Sequence, residues 1–573
     1  MSIKALRFVI ITMVFFITIN SRAALYEIIE VSVPSEIENL GNYNEVYGVA
    51  IIPSVKGGNL GCFAISCNPE EFALAAETRV TPDGYSYREE SPFGMDRSFN
   101  YIQEYSDFKN YCHRELLYST CDIWASNHWI SWNNELVGDT VSNALAFIEN
   151  GNFDNKFNNI INRLTFSGEA IGNQSIAGGT RNTIVSPILP NGSAELGNWK
   201  QGRAWAIDST NTYAVGSIAR EEFNENGSHH TSKAAVWKSR ENPVELQWQS
   251  GIANYGGLLA QGSMRDIVLN DGYIYGVGYN AYGSGNYYNA SIFRVLEVDY
   301  TKPSSWKSII IPNARSKING NFVHSNSVAT AINNNLVVIG VAKRSGSKPE
   351  NGAANNRLFI VNNASESNPS AIFLSGGIFF NSAGGKAGAI NNYNEIVGQL
   401  DFEDTREKGG KPRRKRAFIY PYNTHGTNFT RADIFNNQAH FLDDLTNGDS
   451  INTPPGISSK NNAYRIVDAT DINDAGVIAG TALRCTSLNG EIKEYDDSTH
   501  NSHCTQGVER LVAVKLIPIF NATNSDIQSR MLESESRRVE RNAGSLGCFS
   551  LFILALVNYN LYIYRKREKH GNN

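Results

Sequence analysis

The 573-residue sequence predicts an all-β fold. The expected architecture is a β-propeller-like ring of about 7–8 repeats with a disulfide-bearing insertion, plus a C-terminal transmembrane helix. Three observations point there. A short strand-turn-strand string recurs along the chain. The composition, with 49 Gly, 26 Tyr and 27 Phe but only 5 Met, is that of a β-rich secreted protein. Both ends carry apolar segments flanked by basic residues.

The N-terminal segment comes first. Lys4 and Arg7 precede an apolar core over residues 8–19, and Ser21-Arg22-Ala23 forms a small-x-small cleavage site. Residues 1–23 are therefore expected to be a signal peptide, cut by signal peptidase between Ala23 and Ala24. The strand-like stretch 25–33 is positioned to close the ring against the last repeat.

The repeat ectodomain spans 24–524. Its clearest copy is 390–398 (INNYNEIVG), and 40–48 (LGNYNEVYG) is nearly the same string. Residues 130–138, 332–340 and 472–480 share the spacing; 171–178 is one shorter, and 207–216 and 267–276 are one longer. That gives eight copies. Their final glycines, at 48, 138, 178, 216, 276, 340, 398 and 480, lie 38 to 90 residues apart, which fits three- or four-stranded units. A second string follows most copies, at 144–148, 234–237, 290–293, 357–360, 416–420 and 511–514.

One unit reads as a hairpin. Asn, Asp and Gly tolerate the positive φ of tight hairpin turns. The Val/Ile-rich residues after the turn favour strand, and the glycine within it marks a close backbone approach or bend. The second string adds a strand with an aromatic for the core. Such a unit cannot bury its own face, whereas a closed ring buries every face and leaves few edges. Two β-sandwiches or a β-solenoid are the competing architectures.

Six of the 7 cysteines fall in close pairs, Cys62/Cys67, Cys112/Cys121 and Cys485/Cys504, and the seventh, Cys548, lies in the C-terminal apolar run. In an exported chain, close pairs suit local disulfides. The first four occupy an insertion over about 59–122. Metal ligation is the weaker alternative, because no Cys-x-x-Cys occurs.

A polar linker, 525–542, leads to a small motif and an apolar run (543–564), then a basic tail (565–573). The run has roughly 17 apolar-segment residues where a span needs about 20, so it is short. Arg565, Lys566, Arg567 and Lys569 keep the tail cytoplasmic by the positive-inside rule. The ectodomain then lies across the membrane.

Residues 329–340, 387–398 and 469–480 resemble the bacterial extracellular repeats called HAF. The tail, with Gly544, Ser545, Leu546 and Gly547 before the apolar run, resembles the GlyGly-CTERM sorting signal of Gram-negative bacteria. Ala543 stands where a first glycine is usual, and Asn558 and Asn560 interrupt the run. That resemblance implies cleavage by a rhombosortase-like intramembrane protease and export by type II secretion, with the product at the cell surface or in the medium. As a whole the ectodomain resembles an uncharacterised family of bacterial surface proteins. The resemblance implies location and architecture, and no catalytic residues.

Charge excludes little. The 51 Lys+Arg against 56 Asp+Glu give a net −5, so no basic excess argues for nucleic acid. Four local clusters are candidate sites. His500, His503 and Cys504, with Asp496 and Asp497, could ligate a metal, but a polar loop with a Cys504–Cys485 bridge is favoured. His229-His230 reads as a loop. Asp468, Asp471, Asn473, Asp474 and Gly476 resemble a calcium loop with the wrong spacing, and coincide with a repeat turn. Residues 406–416 (REKGGKPRRKR) read as a solvated basic loop that could meet anionic polymers. No cofactor or metal is predicted. No nucleophile elbow, His-Glu-x-x-His or phosphate loop occurs. Asp266, Asp401 and Asp471, near repeat ends, are the carboxylates a glycosidase-like set would draw on. The leading expectation is a surface-associated binding scaffold of unknown ligand; the alternative is a secreted hydrolase on the same scaffold.

Overall fold

Short strands joined by tight turns dominate the computed structural model, and its helices are few. The described residues are 24–530 apart from 40–42, 81–103, 115–120, 138–143, 152, 154–157, 176–184, 225–226, 284, 316, 319–320, 323–326, 344–355, 405–412, 449–455 and 498–501. The signal-peptide segment, the apolar run and the basic tail lie outside them. Among the described residues no helix is long and apolar enough to cross a membrane. Residues 1–496 and 503–530 form one compact unit, which holds every sheet. A second unit, 497–502 and 531–573, lies almost wholly outside the described residues.

Among the described residues the longer strands group into seven antiparallel sheets, here I to VII in the order of their first strands, and two short ribbons, 254–259 and 317–322, stand apart. Sheet I is Glu45–Ile51, Leu74–Arg79 and Ala144–Ile148. Sheet II starts at Asn158–Leu164 and sheet III at Gln201–Ile207; a single parallel pair, Val185 with Gln201, fuses them at their margin. Sheets IV, V and VI begin with Ser263–Asn270, Ser327–Ile332 and Gly385–Ile390, and each has four strands in sequential order. Sheet VII is Tyr464–Ile472, Ile478–Ser487 and Gly507–Pro518, and its fourth strand is the N-terminal Tyr26–Glu30, with Tyr26 opposite Pro518. The stretch expected to close against the last repeat does pair there.

Hydrophobic cores lie between sheets. Ala50, Ala146 and Ile148 of sheet I meet Ile161 and Leu164 of sheet II. Equivalent clusters join II to III, III to IV, IV to V, V to VI and VI to VII. A further cluster joins VII to I, where Val477, Ala479 and Ala513 meet Val46, Leu74 and Phe147. The Lys515–Glu149 ion pair, at 2.6 Å, spans the same junction. First strands follow the same cycle, each packed on the next and Tyr464–Ile472 on Glu45–Ile51. One apolar face per strand would leave the other in water. Here both faces of most sheets are buried, which explains runs such as Val337-Val338-Ile339.

The repeat string marks the first hairpin of a sheet. Its turn residues Asn211, Asn394 and Gly476 have positive φ, as the composition predicted; Leu336 does too, against preference. The second string is the third strand in all six of its occurrences. The repeat glycine has a specific cause. A bulge in the first strand turns one carbonyl toward the second strand. A Cβ on Gly398 would stand 2.2 Å from the Lys386 carbonyl oxygen, and on Gly216 1.8 Å from that of Arg203.

Several expectations are corrected. The copy at 130–138 lies largely within the helix Asp122–Val137: it lacks the β-branched run that commits the others to strand. Ile171 sits on a second strand, so that copy is out of frame, and Gly178 lies outside the described residues. Gly48 sits on a first strand, against the Gly480 backbone. In sheet IV Gly278, not Gly276, faces the bulge carbonyl. The insertion is two insertions, because Leu74–Arg79 interrupts it, and the second runs on through two helices. The Cys62–Cys67, Cys112–Cys121 and Cys485–Cys504 disulfides are all present. The chain remains docked beyond 524: the Arg530 guanidinium is buried on the Thr446 and Asp443 carbonyl oxygens.

Candidate functional site

Every first strand carries a bulge. It falls at Val49, Asn162, Trp205, Arg265, Thr330, Gly388 and Thr470 in sheets I to VII. A bulge re-aims its side chain and leaves backbone groups unpaired. All seven bulge residues line one cavity of about 460 Å³. A second, narrower cavity lies at the C-terminal ends of the same strands and is lined by all seven sheets.

First strands are sheet edges, so their outer backbone groups need partners from elsewhere. The neighbouring sheet provides them. Asn162 Nδ2 donates to the Ala204 carbonyl at 2.7 Å, and the Thr470 hydroxyl donates to that of Gly48 at 3.0 Å. Asp266 accepts from the Ile332 N–H at 3.0 Å, and Asp471 from the Ile51 N–H at 3.1 Å.

The residue after the bulge is alanine in sheets I, III, V and VI, but Arg163, Asp266 and Asp471 in II, IV and VII. These three meet. Arg163 contacts Asp266 at 3.3 Å and Asp471 at 3.5 Å. Arg163 and Asp471 line both cavities, and thus stand between them. Burial raises the pKa of both carboxyls; Arg163 and the backbone N–H bonds oppose that rise. Burial also disfavours the Arg163 charge, but the two carboxylates outweigh it and raise its pKa.

At the narrower cavity the Asn of the Ile-Asn repeat does two jobs. Asn391 Oδ1 accepts from the Tyr393 and Glu395 N–H groups of its own turn. Its Nδ2 donates to the Asn473 carbonyl of the next sheet at 3.2 Å. Asn333 donates likewise to Asn391, and Asn473 to Ile52, at 2.9 and 3.0 Å. This ladder fastens sheets V, VI, VII and I in sequence.

The wider cavity holds four further charged groups that the sequence did not single out, Glu77, Arg79, Arg265 and Lys386, and Asp468. Arg79 binds Glu77 at 2.7 Å, and Lys386 lies 3.7 Å from Asp468. Burial raises the Asp468 pKa, with Lys386 opposing. The Arg265 guanidinium stacks 3.6 Å from the centroid of Trp205 and 5.4 Å from that of Tyr279. The only signal for Trp205 and Arg265 is their place just before the Ala206 and Asp266 positions of their repeats.

Of the carboxylates named from sequence, Asp266 and Asp471 come together and Asp401 does not. Asp401 is buried on Arg413 and Lys415. The expected solvated basic loop is corrected in its last residues: Arg413 is buried and Arg416 binds Asp443 at 3.0 Å, while 405–412 lie outside the described residues. The calcium-like string is dispersed, because Asp468 and Asp471 face the cations above and Asp474 accepts from the Asn392 amide at 2.8 Å. Cys504 is in its disulfide, the Asp496 N–H donates to the His503 carbonyl at 3.0 Å, and His500 lies outside the described residues. His229 and His230 lie on the strand Gly227–Lys238, not in a loop, with His230 buried 3.4 Å from Gln201.

Comparison with curated proteins returns no match. Among solved structures, a glycosyl hydrolase from Bacteroides ovatus is 10% identical, covering 56% of this chain and 86% of that one at a TM-score of 0.24. A β-fructofuranosidase of Bombyx mori is 11% identical, covering 48% and 59% at a TM-score of 0.20. Likeness at this level assigns no function. Residues 261–560, just over half the chain, match a family described only as a protein of unknown function. The chain belongs to that family, DUF3466.

Proposed function

We propose that the chain is an exported, surface-associated binding protein, built as a closed seven-bladed β-propeller that holds its ligand at the wider cavity. The cycle of seven inter-sheet cores and the pairing of Tyr26–Glu30 into sheet VII support the ring. Three disulfides support an oxidising destination. The tail at Gly544–Gly547 remains the proposed sorting signal, with rhombosortase-like cleavage and type II secretion.

One observation carries binding over catalysis. The acids that meet at the centre are spent on structure. Asp266 uses one oxygen on the Ile267 N–H and the other on Ile332 and Arg163; Asp471 uses one on the Ile472 N–H and Arg163 and the other on the Ile51 N–H. A general acid or base needs an oxygen directed at substrate. The hydrolase reading rests instead on Asp468, a cavity-lining carboxyl whose pKa burial raises.

Hydrogen exchange on the exported protein, with and without a surface-polymer extract of its own host, tests the reading. Protection is expected at 47–49, 161–163, 385–388 and 468–471. Protection confined to other segments, or none, contradicts it. Turnover of that extract that disappears in Asp468→Asn favours the hydrolase.

A further inference from the structure

We infer that the wider cavity takes a neutral polyhydroxylated ligand, a glycan segment, seated between Trp205 and a crescent of small residues. This rests on the binding reading above. The bulge positions are unevenly filled. Sheets II, III and IV place Asn162, Trp205 and Arg265 on one side of the cavity. Sheets V, VI, VII and I place Thr330, Gly388, Thr470 and Val49 on the other. The small side chains of the crescent lie across from Trp205, one indole face of which carries the Arg265 guanidinium at 3.6 Å.

Gly388 keeps the crescent shallow for a stated reason. A Cβ there would stand 2.3 Å from the Ala469 carbonyl oxygen, so the notch cannot be filled without moving backbone. The cavity, about 460 Å³, is of small-ligand size.

Charge selects the class. The lining carries four cations, Arg79, Arg163, Arg265 and Lys386, and three carboxylates, Glu77, Asp468 and Asp471. Asp266, on Arg163, is the fourth carboxylate. The balance is neutral, and most of these charges already lie beside an opposite one. A charged ligand would bring an uncompensated charge into a partly enclosed site, at a desolvation cost. A sugar brings none. Its hydroxyls suit paired charges, which offer donors and acceptors together, and the Thr470 oxygen, whose proton is given to the Gly48 carbonyl, accepts. Its C–H face suits the indole.

The test uses the exported protein as its host processes it, intrinsic tryptophan fluorescence and saturation-transfer NMR. The probes are neutral trisaccharides of glucose, mannose and galactose, and the galacturonic acid trimer. At least one neutral trimer should bind, with an affinity unchanged between about 50 and about 500 mM salt. Trp205→Ala should weaken it about tenfold or more, and Thr330→Leu should weaken it by filling the crescent. Thermal midpoints near the parent value show that both variants fold. Lys302→Ala, exposed and outside the cavity lining, should leave neutral binding within about twofold. Tighter, salt-sensitive binding of the acid trimer that Lys386→Ala weakens overturns the ligand class and leaves the binding site standing. No Trp205-dependent binding of any neutral trimer also overturns it. Failure of the binding reading would appear separately, as absent protection of the cavity strands by the host extract.

Discussion

Replacing Arg163 with methionine tests the centre of the architecture. The change keeps much of the side-chain volume but leaves Asp266 and Asp471 facing each other without their shared cation. Removing one partner of a buried ion pair costs about 3–5 kcal/mol. The Arg163 side chain is 25% exposed, while Asp266 and Asp471 are 10% and 8%, so water screens part of the loss. The expected destabilisation is about 2–3 kcal/mol. With an unfolding entropy of about 2.1 cal/mol/K per residue over roughly 500 residues, that lowers Tm by ~2–3 °C.

The pH dependence is the sharper signature. Both carboxyls already have raised pKa values, and without Arg163 both rise further. A carboxyl whose folded pKa exceeds its unfolded value of about 3.9 binds its proton more tightly in the folded state. Its penalty is absent below that value and grows as pH rises toward the folded pKa. The deficit of Arg163→Met relative to the parent should thus be small near pH 4 and largest near pH 7. Adding Asp266→Asn and Asp471→Asn should recover at least half of the pH 7 loss. Differential scanning fluorimetry across pH measures this. A deficit independent of pH, or no deficit at pH 7, refutes the reasoning.

Gly398→Ala places a methyl 2.2 Å from the Lys386 carbonyl oxygen and should cost about 1–3 kcal/mol, measured by denaturant midpoint. Asn391→Ala removes two turn acceptor bonds and the link to Asn473, and should cost about 2–4 kcal/mol with faster exchange of the Glu395 and Tyr393 amides. Loss of the Cys485–Cys504 bridge, which closes 19 residues, should cost about 3 kcal/mol, and loss of Cys62–Cys67, which closes 5, about 2, both read from unfolding of Cys→Ser pairs. Intact mass of the exported protein should show a C-terminus near residues 543–545; residues 548–573 retained in all of it would make the tail an anchor.

The sequence carried the hairpins well because their chemistry is local. Asn394 and Gly476 announce positive φ, and β-branched runs such as Ile396-Val397 announce the strand after the turn. Five third strands were legible through aromatics such as Phe147, Trp237 and Phe418. Frame was harder. At 130–138 the turn-like Asn-Asn pair sits in a helix, because a turn dipeptide without β-branched residues after it commits to nothing. The site was the least legible part. Arg163, Asp266 and Asp471 are 308 residues apart at the extremes, and only the registration of seven bulges brings them together. Asp266 and Asp471 could be named as carboxylates near repeat ends, but Arg163 precedes the degenerate copy at 171–178, on a strand no repeat string marked, and Trp205 looks like an ordinary core aromatic.

A high-resolution density map of the exported protein, with a bound neutral trisaccharide, tests the central claim most directly. The account predicts a closed ring of seven sheets with Tyr26–Glu30 paired to Gly507–Pro518, Arg163 lodged between Asp266 and Asp471, and sugar density only on the Trp205 side of that barrier. An open arc of sheets, a continuous passage where Arg163 should stand, or sugar seated on the Asn391 side would contradict it.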